Sequence, residues 1–160
     1  MASSNEIEIK LAVERLQARY VGAIDDDRLE EWPNCFADPC RYLIISAETY
    51  EKGQPLGVFF ADSRGMLIDR VASLRRANIY EAQRYRHIVS SMLILSADNG
   101  IVKAQSNYLV TRIMQDGSMS LFSAGRYLDQ INLNGAEPLF EEKLAIFDNK
   151  RIDTLLALPI

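Results

Sequence analysis

Histidine is almost absent from this sequence. Among 160 residues there is one, His87, and cysteine occurs only twice, as Cys35 and Cys40. A mononuclear non-haem iron centre of the facial type takes two histidines and a carboxylate. A Rieske cluster takes two cysteines and two histidines. One histidine excludes either from being completed within a single chain. Structural zinc would require Cys35, Cys40, His87 and a carboxylate to converge; the C-x₄-C pair reads as two free, buried thiols instead. There is no Ser or Cys nucleophile motif and no glycine-rich phosphate loop. No run approaches the ~20 apolar residues of a membrane span. The opening residues "MASSNE" lack the basic-then-apolar pattern of a secretory signal, so a cytoplasmic location is expected. Clustered cations are scarce as well. With a net charge of −4 and "RVASLRRA" (70–77) as the densest basic group, neither nucleic acid nor a membrane is an expected partner.

What is present is enough for one folded domain spanning residues 1–160: 48% of the residues are hydrophobic and 25% charged, the composition of a globular chain. Ile9, Val13, Leu16, Tyr20 and Ile24 recur at helical spacing and predict an N-terminal amphipathic helix. After it, Asp27 with Glu30 three residues later predicts a short second helix that Pro33 ends or kinks. "RYLIISAETY" (41–50) reads as a strand, "EKGQPLG" as a loop, and Leu67, Val71, Leu74 and Asn78 as a third helix capped by Asp62 or Ser63. Asn99-Gly100, Asp116-Gly117 and Asn134-Gly135 then divide a long apolar stretch into four antiparallel strands, because such pairs tolerate the positive φ of tight hairpin turns. Gly125, inside the third strand, predicts a bend or bulge. The expected class is α+β: N-terminal helices covering one face of a curved antiparallel sheet, forming a cone.

Few residues in this pattern can carry chemistry. "DDDRLEE" (25–31) gathers five acids, which capping and a solvated turn account for. Asp38 before Pro39 is a turn residue. His87, between Arg84, Arg86 and an apolar strand, reads as a structural or interfacial histidine rather than a general base. The tail "DTLLALPI" holds Leu155, Leu156, Leu158 and Ile160, too apolar to be left in water. It packs on its own sheet or against another subunit.

The landmarks "DDDRLEEW", "RYLI", "LIDRV", "RYRHIVSS", "SNYLVTR" and "GRYLDQI" run in an order that resembles the small (β) subunits of Rieske non-haem iron aromatic-ring-hydroxylating oxygenases. The likeness covers nearly the whole chain. It implies a cystatin-like cone fold, as in ketosteroid isomerase and nuclear transport factor 2, and no cofactor in this chain. It also implies a large (α) subunit holding the Rieske 2Fe-2S cluster, the mononuclear iron and the substrate pocket, with electrons from NAD(P)H through a reductase. The expected assembly is three large plus three small subunits, the small ones forming a trimeric base. The length resembles systems for single-ring aromatic acids, salicylate 5-hydroxylase first and terephthalate, benzoate and anthranilate dioxygenases next. On this resemblance the functional residues are interfacial: Arg70, Arg84, Arg86, His87, Arg126 and Tyr127, together with Leu155, Leu156, Leu158 and Ile160. The arginines suit carboxylates of a partner or, within the chain, Asp69, Asp129 or Glu81. Two other classes compete: a stand-alone cone-fold isomerase or dehydratase using an Asp or His in its pocket, and a non-catalytic dimeric binding module.

Overall fold

A computed structural model describes residues 4–54, 56–77, 81–150 and 156–160. The first helix, α1 (Ser4–Asp25), buries the predicted stripe: Val13, Leu16, Tyr20 and Ile24 enter the core, with Ile9 packed at its margin. The predicted second helix does not form. Residues 26–31 make consecutive turns, with Asp27 at φ 57°, and a 3₁₀ turn follows at Trp32–Cys35. Pro33 sits in the first turn of that element, where its missing N–H costs nothing, and Asp27 is occupied by Arg75 at 2.8 Å.

Strand β1 (Phe36–Ser46) starts earlier than predicted and gives way to a short helix, α2 (Ala47–Glu51), because Ser46 caps it by accepting from the Thr49 N–H. A three-residue strand, β2 (Phe59–Ala61), precedes α3 (Arg64–Ala77), which buries Leu67, Val71 and Leu74 and is capped by Ser63 Oγ. Asn78 lies outside the described residues. The four long strands follow as β3 (Gln83–Asp98), β4 (Ile101–Met114), β5 (Met119–Asn132) and β6 (Leu139–Phe147). Asn99 and Gly100 both take positive φ in the first hairpin, as does Gly117 in the second. Asn134-Gly135 is different: neither residue has positive φ, and the pair lies in a wider loop where the Asn134 side chain donates to the Asn99 carbonyl.

The sheet is unclosed and curved, in the order β2-β1-β6-β5-β4-β3. All pairs are antiparallel except β1 with β6, which run parallel, a pairing the turn signals do not encode. At Gly125 the β6 backbone comes so close that a Cβ would lie 1.9 Å from the Ile146 oxygen. The bulge itself is two to three residues away, where Val110 and Thr111 face Ser123 and Leu121 and leave Phe122 as the extra residue. The inner face of the sheet packs on α1, α3 and the 3₁₀ turn in one core. On the outer face Leu43, Ile45, Leu144 and Ile146 form a second, smaller cluster with Ala47 and Tyr50 of α2 packed on it.

Candidate functional site

Alternation along β5 puts Tyr127, Asp129 and Ile131 on the inner face, and along β6 it puts Lys143, Ala145 and Phe147 there. A lysine and an aspartate therefore meet inside the cone, both side chains 0% exposed, with Nζ 3.1 Å from Asp129 Oδ1. The rings of Tyr20, Tyr127 and Phe140 surround the ammonium, Tyr127 at 3.6 Å to its centroid. Gln17 donates to Asp129 Oδ2 (3.4 Å) and to Ser106 Oγ (2.9 Å). Burial pushes the Asp129 carboxyl up and the Lys143 ammonium down, and each partner's charge opposes the shift in the other. Cys35, buried nearby, has its thiol pushed up to about 11 by the same loss of water.

A second polar pair seals the edge of the sheet. Asp25, at the end of α1, accepts from the backbone N–H of His87 on edge strand β3 (2.8 Å) and meets its Nδ1 at 2.6 Å. The helix thereby occupies a donor that an edge strand would otherwise offer to another chain. Arg86 lies 4.0 Å from Asp25 and 3.8 Å from Asp26. Nε2 of His87 is buried without a hydrogen-bond partner among the described residues. The neighbouring surface groove, about 430 Å³, has Asp25, Asp27, Arg75 and Arg84 in its walls but not His87. An isomerase or dehydratase needs its imidazole to reach a ligand, and this one faces packed protein.

The tail closes the other side of the interior. The Ile160 carbonyl accepts from the hydroxyls of Tyr20 (2.6 Å) and Tyr42 (2.8 Å), and Arg70 holds the Leu156 and Ala157 carbonyls at 2.6 and 3.2 Å. Leu158 and Ile160 belong to the chain's own core, with Leu156 packed against it. That is the first of the two dispositions open from the sequence, and it leaves Leu158 and Ile160 without surface to offer a partner. Leu155 lies outside the described residues. His87 and Tyr127 also turn inward, so neither supplies outer surface. Arg70 is spent on the tail. Arg84 and Arg86 are exposed and Arg126 half-buried, all three on β3 and β5. The expected carboxylate Asp129 is taken by Lys143, not by an arginine.

Sequence reasoning missed Asp25 and Lys143, and it offered Asp129 to an arginine rather than to a lysine. Asp25 was absorbed into an acidic run, although it is the last residue of α1. The two-residue period of Tyr127-Asp129-Ile131 and Lys143-Ala145-Phe147 was a usable signal, since it sets charges on an otherwise apolar face. The donor set does not fit an iron group: the single histidine has Nδ1 committed to Asp25, and both cysteines are buried. Among the described residues no three His, Cys, Asp or Glu side chains form a metal cage, and no helix is long and apolar enough to cross a membrane.

Residues 19–154 match the family model for the ring hydroxylating beta subunit. The chain belongs to that family. It is 40% identical to the anthranilate 1,2-dioxygenase small subunit of Burkholderia cepacia, over 91% of this chain and 90% of the relative. It is 38% identical to a terephthalate 1,2-dioxygenase terminal oxygenase component subunit beta 2 of a Comamonas species, over 98% and 99%. Among solved structures, the beta subunit assigned to an aromatic-ring-hydroxylating dioxygenase of Novosphingobium aromaticivorans superposes with a TM-score of 0.89. That match has 36% identity and covers 96% of this chain and 98% of the other. As a ring hydroxylating beta subunit, the chain is the non-catalytic member of an oxygenase complex whose large subunit is its partner. The sealed interior suits that role.

Proposed function

We propose that this beta subunit is the cytoplasmic structural base of a Rieske-type oxygenase for monocyclic aromatic acids. The near full-length likeness to small subunits of anthranilate and terephthalate dioxygenases carries the reading. Anthranilate and terephthalate are both benzene carboxylates, as is salicylate, the substrate first expected from the sequence. In this reading three copies form a base for three large subunits. The large subunits hold the 2Fe-2S cluster and the mononuclear iron, fed from NAD(P)H through a reductase, and neither nucleic acid nor membrane takes part. The chain's own residues contribute shape: a core closed by Lys143, the tail and the Asp25–His87 pair, with an outer sheet face left for assembly.

The test is co-expression with a large subunit of this oxygenase family from the same genome, followed by metal analysis and product analysis on salicylate, anthranilate, terephthalate and benzoate. Iron is expected with the large subunit and in less than stoichiometric amount in the small subunit purified alone. Hydroxylation of at least one of these acids is expected only when the large subunit is present. Turnover by the small subunit alone, or failure of the two to co-purify, would overturn the proposal.

A further inference from the structure

Two Asn-Gly pairs stand at the same end of the sheet, and the fold treats them differently. Asn99-Gly100 is the two-residue turn between β3 and β4, with φ of 49° and 76° and the Asp98–Ile101 pair closed behind it. Both carbonyls of that turn are occupied. The Leu133 N–H donates to the Gly100 oxygen (2.7 Å), and the Asn134 side-chain amide donates to the Asn99 oxygen (3.0 Å). Asn99 Nδ2 donates in turn to Asp98 Oδ2 (3.2 Å). The Asn134 amide lies so near that a Cβ on Gly100 would collide with its Oδ1. One side chain therefore ties the β5–β6 loop to the β3–β4 turn.

Asn134-Gly135 has no such frame around it. The pair lies in the irregular loop 133–138, both residues are exposed, and the Gly135 N–H makes no hydrogen bond among the described residues. Nothing stands nearer than 3.5 Å to where a Gly135 Cβ would be. The peptide between the two residues can rotate, and a glycine nitrogen, with no side chain beside it, meets little hindrance.

We propose that Asn134 is a site of spontaneous deamidation, and that its conversion releases the β3–β4 turn. Hydroxide takes the Gly135 amide proton, and the nitrogen bonds to Asn134 Cγ. The Cγ–Nδ2 bond breaks, and Nδ2 leaves as ammonia with a proton from water. Water then opens the five-membered imide at either carbonyl, leaving aspartate, or isoaspartate with the chain routed through the side chain. No electrons are transferred: one water enters and one ammonia leaves. Either product replaces a donor by a carboxylate facing the Asn99 carbonyl oxygen. Two acceptors cannot share that contact, so the tie is lost, and one added negative charge takes the net charge from −4 to −5. The same chemistry at Asn99 requires its ψ to swing out of the turn. That motion breaks the carbonyl contacts to Leu133 and Asn134 and opens the end of the hairpin. The reaction needs nothing from the large subunit or its substrate.

The experiment ages the whole chain in mildly alkaline buffer and follows each asparagine by peptide mass mapping, which separates aspartate from isoaspartate by elution. Ammonia loss is expected at Asn134 roughly tenfold or more ahead of Asn99, because opening the turn costs at least one further hydrogen bond. Gly135→Ala fits the open space at its position, where φ is not positive, and is expected to remove most of the reaction. Asn134→Asp is expected to reproduce the product. Its anion-exchange retention shifts by one charge, and backbone hydrogen exchange at Leu133 and across 98–101 quickens relative to wild type, with circular dichroism unchanged. Conversion at Asn99 first, at neither pair, or at an undiminished rate in Gly135→Ala would overturn the site. Exchange as slow in Asn134→Asp as in wild type would overturn the release of the turn.

Discussion

Lys143 is held by one carboxylate and three aromatic rings in a place where water cannot reach it. Removing a partner from such a pair is more damaging than removing both, because the remaining charge is left in a medium that solvates it poorly. Lys143→Met alone is expected to lower the stability of the fold by about 3–5 kcal/mol. Combined with Asp129→Leu, most of that loss is expected to return. Denaturant midpoints of the two variants decide the matter, and a single variant as stable as the double would show that Gln17 alone can hold the Asp129 charge. Asp25 is a comparable case at the rim. Its carboxylate holds both the backbone and the ring of His87, which is why a residue at the head of an acidic run is as buried as the core.

At the scale of elements, the C-terminal segment behaves as part of the core rather than as an arm. Leu158→Ala is expected to cost about 2–5 kcal/mol, the range for truncating a buried leucine, while the mass by light scattering stays that of wild type. A change in mass without a loss of stability would return the segment to the interface. The elements themselves were largely legible: the heptad-like stripe of α1 and the turn pairs around β3, β4 and β5 follow from periods of 3.6 and 2. The errors lie where tertiary partners override local preference. Asp27 has the chemistry of a helix cap, yet Arg75 draws it into a turn. "AETY" looked like the end of a strand, but Ser46 starts a helix there. The parallel pairing of β1 with β6 joins segments about a hundred positions apart, and nothing local announces it. The interior site was less legible than the fold, because a charge on an apolar strand face reads as an interruption until its opposite is found.

For the whole molecule, four of the seven tyrosines tie stability to alkaline pH. Burial raises the hydroxyl pKa of Tyr20, Tyr42, Tyr108 and Tyr127, before any effect of neighbouring charge. In the unfolded chain a tyrosine ionises near pH ~10. Above that value the unfolded state binds fewer protons than the folded one, so stability is fully present below about 10 and falls as pH rises beyond it. The tyrosinate absorbance of these four is expected to appear together with the loss of circular dichroism, in one cooperative step. Ionisation of more than the other three tyrosines with the fold retained would mean that water enters the core. The parallel strand pair has a consequence of another kind, in the order of synthesis. During translation β1 emerges early, but the strand that completes its second edge is the last long one to leave the ribosome. At roughly 5–20 residues per second, β1 waits on the order of 5–20 s with that edge open. Nascent chains halted before Leu139 would thus be the form of this protein most exposed to chaperones and to aggregation.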